Sequence, residues 1–203
     1  QEHIPLNIHS NTIQPRYFKS PCFGSKYYDK AKEIDRSLSV FNENSNVLQK
    51  IKNKTDFLKI GFFDLWMSNE DRNFNNYNLL INFEEKSSFF MPIDHEKCFN
   101  SSSLEKGIYQ LSHNESILNS ELCKLLFRSG KQLNKMVDDL KQECYICIEQ
   151  CKISLDEILN EVPAEWGIDN TRKKDLLINS IFARTWIEET VTNFKQYLDA
   201  GLR

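Results

Sequence analysis

Residues 68–81 read SNEDRNFNNYNLLI, and residues 91–95 read MPIDH. Two acids, Asp71 and Asp94, and one amide, Asn76, stand beside apolar runs. Their side-chain oxygens are hard ligands. Magnesium takes such oxygens at about 2.1 Å, usually one or two from protein and the rest from phosphates and water. Asn76 with Asp94 meets that need and leaves coordination sites open for a phosphorylated ligand. Asp71, five residues before Asn76, can share the space without binding the cation. A carboxylate there can orient an acceptor hydroxyl and take its proton during phosphoryl transfer. The same residues also fit a plain polar loop beside a hairpin, because asparagine fills 20 of the 203 positions.

The elements that must position these side chains are legible nearby. Tyr77–Phe83 and Ser87–Ile93 are β-prone runs separated by Glu84-Glu85-Lys86, which reads as a hairpin. Centring the turn on Glu85 sets Leu79 opposite Met91, Leu80 opposite Phe90 and Ile81 opposite Phe89, apolar against apolar. It also sets Asn76 opposite Asp94, and opposed Cα atoms lie about 5 Å apart. Pro92 cannot donate to a ladder, so its strand is expected at an edge or frayed there. Upstream, Val47, Leu48 and Ile51 and then Phe57, Ile60, Asp64 and Met67 recur at helical spacing, with Thr55 as N-cap of the second helix.

Asp-(four residues)-Asn, a hairpin and then Ile-Asp is the order of the catalytic and metal loops in protein kinases and phosphatidylinositol kinases. The fuller wording FDLWMSNEDRNFNNYNLLI with PIDH resembles the HipA-like kinase family. FGSKY (23–27), VPAEW (162–166) and a following helix that carries Arg184 are similar to segments flanking the catalytic loop in that family. The resemblance implies an α+β, predominantly helical fold, the C-terminal lobe of a kinase-like fold. It implies Asp71 as catalytic aspartate, Asn76 and Asp94 as magnesium ligands, and ATP and Mg²⁺ as cofactors. His95 and Glu96 stand where many protein kinases have Phe-Gly. The acceptor implied is a protein Ser/Thr hydroxyl, with a lipid or a small molecule as the alternative.

The chain also departs from a kinase pattern. Its glycines (24, 61, 107, 130, 167, 201) never fall at the GxG spacing of a phosphate-covering loop. Residues 1–45 read as an irregular segment, too short for an N-terminal lobe, and Lys19 is its only suggestive lysine. Three expectations follow: a fragment, consistent with Gln1 at the start; a lobe whose N-lobe comes from a partner chain; or a catalytically silent interaction module. Arg72 has two roles open to it, a phosphate contact or a brace through a carboxylate, and the brace is favoured.

Residues 46–203 read as the kinase-like lobe, with the catalytic loop and hairpin at 68–95 and a helical part at 105–200. A Ser-rich loop follows Asp94. Helices are expected at 119–128 and 131–151, and a capping box, Ser154-Leu-Asp-Glu157, opens another that Pro163 ends. A final helix is expected over 170–200. Cys144, Cys147 and Cys151 share one helical face, read as core packing rather than a zinc or iron–sulfur site. Trp66, Trp166 and Trp186 read as core anchors. A net charge of −3 with mixed signs gives no footprint for generic nucleic-acid binding. No apolar stretch is long enough to span a bilayer and no signal-peptide pattern is seen, so a cytoplasmic location is expected.

Overall fold

A computed structural model describes residues 27–42, 47–83, 87–102 and 104–203. Lys19, most of FGSKY and the Glu84-Glu85-Lys86 turn lie outside the described residues. The central element is α3 (Thr55–Met67). Its sequence, TDFLKIGFFDLWM, is apolar on nearly every face, and Phe57, Leu58, Ile60, Phe62, Leu65 and Trp66 are all buried. A helix apolar all round belongs in a core. Thr55 is not its N-cap: the helix begins at Thr55, whose N–H bonds Asn53 Oδ1 at 3.2 Å while Asn53 Nδ2 holds Asp56 at 2.8 Å.

A three-stranded antiparallel sheet lies against α3, in the order β1 (Ala31–Glu33), β2 (Leu79–Phe83), β3 (Ser88–Pro92). Pro92 ends an edge strand, as its missing N–H requires. The register differs from the sequence expectation by one residue: Leu79 pairs with Pro92, Leu80 with Met91 and Ile81 with Phe90. Burial explains the difference. Leu79 and Ile81 face the core from β2, and Ser88 and Phe90 from β3. Phe90 packs edge-on to Phe57 of α3, while Phe89 meets Tyr28. A one-residue slip would exchange these faces. β1, within the stretch read as irregular, pairs Lys32 with Ile81.

Two short helices, α1 (Ser39–Asn42) and α2 (Val47–Lys50), precede α3, and α4 (Cys98–Ser102) follows the sheet. α4 is a tight turn rather than a regular helix, since Phe99, Asn100 and Ser101 all have left-handed backbone. The rest comprises α5 (Glu121–Leu126), α6 (Lys131–Ile153), α7 (Leu155–Asn160), α8 (Asn170–Ile178) and α9 (Arg184–Gly201). Ser154 makes no side-chain cap, so the expected capping box is not formed there; one forms instead at Ser112 and Glu115.

The expected 170–200 helix is broken at 179–183. Asn179 Nδ2 and Ser180 Oγ turn back to the carbonyls of Asp175 and Leu176 at 2.8 and 2.6 Å. The break frees Ile181 O to accept Trp66 Nε1 at 2.8 Å, and Trp186 Nε1 bonds Trp66 O at 2.9 Å. These two indoles fix the last turn of α3, from which the candidate loop departs. Trp166, by contrast, is 44 % exposed and is no core anchor. α9 closes over α3 through Phe194 on Phe62. Leu118 reaches both helices where they carry glycine: a methyl at Gly61 would stand 2.7 Å from Leu118 Cδ2, and one at Gly201 would strike Leu118 O.

Candidate active site

α3 ends at Ser68, a left-handed residue (φ 48°) whose N–H returns to Asp64 O. The Asn69 N–H reaches the same carbonyl at 2.9 Å, and the chain turns sharply into the loop. Asn73 builds the loop from within. Its Nδ2 donates to Glu70 O at 3.1 Å, its Oδ1 accepts the Asn75 N–H at 2.9 Å, and its backbone exchanges bonds with Asn76. Short amide side chains can mimic a backbone turn in this way, which gives the asparagine cluster a structural purpose. Phe74, Asn75 and Asn76 form its exposed tip.

Below the loop lies a buried acid–guanidinium pair. Arg72 is fully buried and Asp64 is 1 % exposed, with Nη1 donating to Asp64 Oδ1 at 2.5 Å. Asn69 Nδ2 donates to the same oxygen at 2.9 Å. Arg72 Nη2 donates to Ile93 O at 2.6 Å, and Nε reaches Asn78 O at 3.4 Å. The brace through a carboxylate is therefore the arrangement found. Burial pushes the Asp64 carboxyl up to about 7, although Arg72 and Asn69 pull the other way. Behind the pair, an apolar recess of about 350 Å³ lies between α3 and α6.

Asp71 is half-buried and accepts a hydrogen bond from Asn78 Nδ2 at 2.8 Å. Asn78 O in turn accepts the Ile93 N–H at 2.9 Å, so Asp94 follows directly on the residue paired with Asn78. Asn78 and Asp94 are both left-handed, with φ 45° and 54°. Each such non-glycine residue costs about 1–2 kcal/mol, and strain of this kind persists where the surroundings over-determine it. Next to Asp94, His95 stands edge-on to Phe63, with Nε2 3.3 Å from Arg72 Nη2 and so placed as an acceptor. Burial first, then the Arg72 charge, hold its imidazole below the ordinary value, and Asp94 opposes them.

Of the three residues singled out from the sequence, Asp71 and Asp94 thus flank the Asn78–Ile93 pair. Asn76 lies at the exposed loop tip, and the carboxamide bonded to Asp71 belongs to Asn78. Asn78, Asp64 and Glu70 went unrecognised as site residues. A signal existed for Asp64, the one charge on the apolar face of FDLWM, because a buried acid needs a partner. Glu70 accepts the hydroxyls of Ser101 and of Tyr109, the latter at 3.1 Å. The Ser-rich segment after Asp94 is thereby held against the loop.

Away from the loop, Cys144 and Cys151 are half-buried against the core and Cys147 is exposed, so the shared cysteine face is packed only in part. Burial pushes the Cys144 thiol up to about 12. Among the described residues no helix is long and apolar enough to cross a membrane.

A loop closed on itself by Asn73 and the end of a strand thus bring the Asp71 carboxylate, the Asn78 carboxamide and the backbone before Asp94 together. A family model described as HipA-like kinase matches residues 17–196. The chain belongs to the HipA-like kinase family, a family of phosphotransferases. No curated protein and no solved structure matches it.

Proposed function

We propose that this chain carries the catalytic loop for ATP- and Mg²⁺-dependent phosphoryl transfer to a hydroxyl, with a protein Ser/Thr side chain as the acceptor. The observation that carries this reading is the Asp71–Asn78–Ile93 linkage, which brings Asp71 and the backbone before Asp94 to one place in a chain of this family.

Asp71 is the group that orients the acceptor hydroxyl and receives its proton. Asn78, by donating Nδ2 to one Asp71 oxygen, fixes the carboxylate and leaves its other oxygen available to the acceptor. The donor set fits magnesium. Among the described residues no ready cage of three or more His, Cys, Asp or Glu is present, and magnesium is commonly held by one or two carboxylates together with substrate phosphates. Asp94 would hold it, with Asn78 Oδ1 as the amide oxygen in preference to Asn76, whose side chain sits at the exposed tip. When bound, the cation neutralises charge on the phosphates. Residues 46–203 form the lobe in this reading, and a cytoplasmic location accords with it.

Calorimetry of ATP binding with and without Mg²⁺, in wild type beside Asp94→Ala, tests the proposal. Magnesium-dependent binding that Asp94→Ala abolishes supports it. Equal binding in both proteins removes Asp94 from the metal. Phosphate incorporation that survives Asp71→Asn, measured with any complementing chain present, removes Asp71 from its role.

A further inference from the structure

Asp64 lies one element away from the loop, on the central helix, and touches neither Asp71 nor Asp94 in any hydrogen bond described above. Among the described residues its charged partner is Arg72. That guanidinium is a three-way joint: Nη1 on Asp64 of α3, Nε on the carbonyl of Asn78 where the chain enters β2, and Nη2 on the carbonyl of Ile93 where it leaves β3. The Ile93 carbonyl belongs to the peptide plane whose nitrogen is that of Asp94. The Asn78 carbonyl is shared with the Ile93 N–H. One guanidinium therefore holds both left-handed residues of the site at the peptides that define them. A planar fork can do this, and an ammonium, which is a point charge on a flexible stem, cannot reach all three acceptors.

We infer that Asp64 is a positioning residue for the Asp71–Asp94 site: by fixing the orientation of Arg72, it sets the left-handed backbone at Asn78 and Asp94. This rests on the proposed kinase reading for its functional meaning, while the backbone claim stands independently. The pair joins α3, which the indoles of Trp66 and Trp186 tie to the 181–186 region, to the two strand ends. Asn69 Nδ2 also donates to Asp64 Oδ1, the oxygen that accepts from Arg72, so the acid is tied to the loop as well as to the guanidinium.

The test uses amide hydrogen exchange by NMR on the full chain, with the Ile93 amide as reporter and the Phe194 amide of α9 as control. Arg72→Lys keeps the charge and loses the fork. It is expected to speed exchange at Ile93 by about tenfold or more with little change at Phe194, a local opening rather than global unfolding. Asp64→Asn keeps an acceptor for Arg72 and is expected to stay near wild type, whereas Asp64→Leu behaves like Arg72→Lys or worse. Magnesium affinity, read as the Mg²⁺ dependence of ATP binding, should fall by about 10- to 100-fold in Arg72→Lys and stay near wild type in Asp64→Asn.

Unchanged Ile93 exchange in Arg72→Lys and Asp64→Leu overturns the inference. So does an equal rise at Ile93 and Phe194, which would make the pair a general stabiliser. If wild type binds no Mg²⁺-ATP even with any complementing chain present while Ile93 exchange still depends on the pair, the kinase reading fails and the positioning role stands.

Discussion

The Asn78 carboxamide donates to the Asp71 carboxylate at 2.8 Å, across seven residues of loop. Asparagine stands at both the fifth and seventh positions after Asp71, and the seventh directly precedes β2. Its backbone is already committed to Ile93, so its side chain projects from a fixed point. Asn76 is held by its backbone exchange with Asn73, and its side chain projects from the exposed tip.

Asn78→Ala is therefore expected to reduce phosphate incorporation, or the Mg²⁺ dependence of ATP binding, by about 10- to 100-fold, as removal of a group orienting metal ligands does. Asn76→Ala should stay within a few-fold of wild type. The reverse order, measured side by side at several Mg²⁺ concentrations, would return the amide role to Asn76.

Glu70 ties the segment after Asp94 to the loop through two hydroxyls, Ser101 and Tyr109. That segment carries three consecutive left-handed residues, and Asn100 N–H and Oδ1 also bond Ser68 O and the Tyr109 N–H, at 3.0 and 2.9 Å. Strained backbone released from one of its ties opens more readily. Glu70→Ala should raise tryptic cleavage after Lys97 or Lys106 several-fold while leaving the thermal midpoint almost unchanged, because the contacts are at the surface. Cleavage at the wild-type rate would show that Glu70 does not hold the segment.

Much of this arrangement could be read before any coordinates. α3, the hairpin and α6 announce themselves by period, and Asp71 and Asp94 by their setting. The register did not, because Glu84-Glu85-Lys86 has no glycine or asparagine to select a turn type, and apolar residues occur on both faces of both strands. The correct pairing depends on which phenylalanine meets Phe57, a contact 33 residues distant in sequence. The break at 179–183 was hidden for a similar reason: Ile181 continues the helical period, and its carbonyl is diverted by Trp66, 115 residues away. Asn78 was lost with the register, since the shifted pairing sets it against Ile93 and so beside Asp94.

Leu118 offers a contrast between two glycines. At Gly201 a new methyl meets the backbone carbonyl of Leu118, which cannot move without disturbing the 117–119 turn. Gly201→Ala should destabilise by about 1–3 kcal/mol, the usual cost of overpacking. At Gly61 the obstacle is the end of the Leu118 side chain, 2.7 Å away, which can rotate, and alanine recovers about 1 kcal/mol of helix propensity. Gly61→Ala should thus be much closer to neutral. Thermal or urea unfolding of the two variants decides, and equal losses would refute the distinction between backbone and side-chain obstacles.

The buried acid gives stability a dependence on pH whose sign is fixed by burial. In the folded chain Asp64 holds its proton up to about 7, against a model value of 3.8. Below pH 4 the carboxyl is protonated in both states, and it favours neither. Between about 4 and 7 the unfolded chain loses the proton and the folded chain keeps it, so rising pH favours unfolding. Above 7 both are ionised, and the accumulated loss no longer grows. Wild type minus Asp64→Asn, followed by urea unfolding from pH 4 to 8, should therefore show a relative stability that declines with pH and then levels off. A difference that stays flat across that window and falls only below pH 4 would mean that Arg72 and Asn69 outweigh burial and hold Asp64 as an anion well below neutrality. The pair would then be an ion pair throughout the physiological range, and the asparagine variant would no longer be a near-neutral stand-in for it.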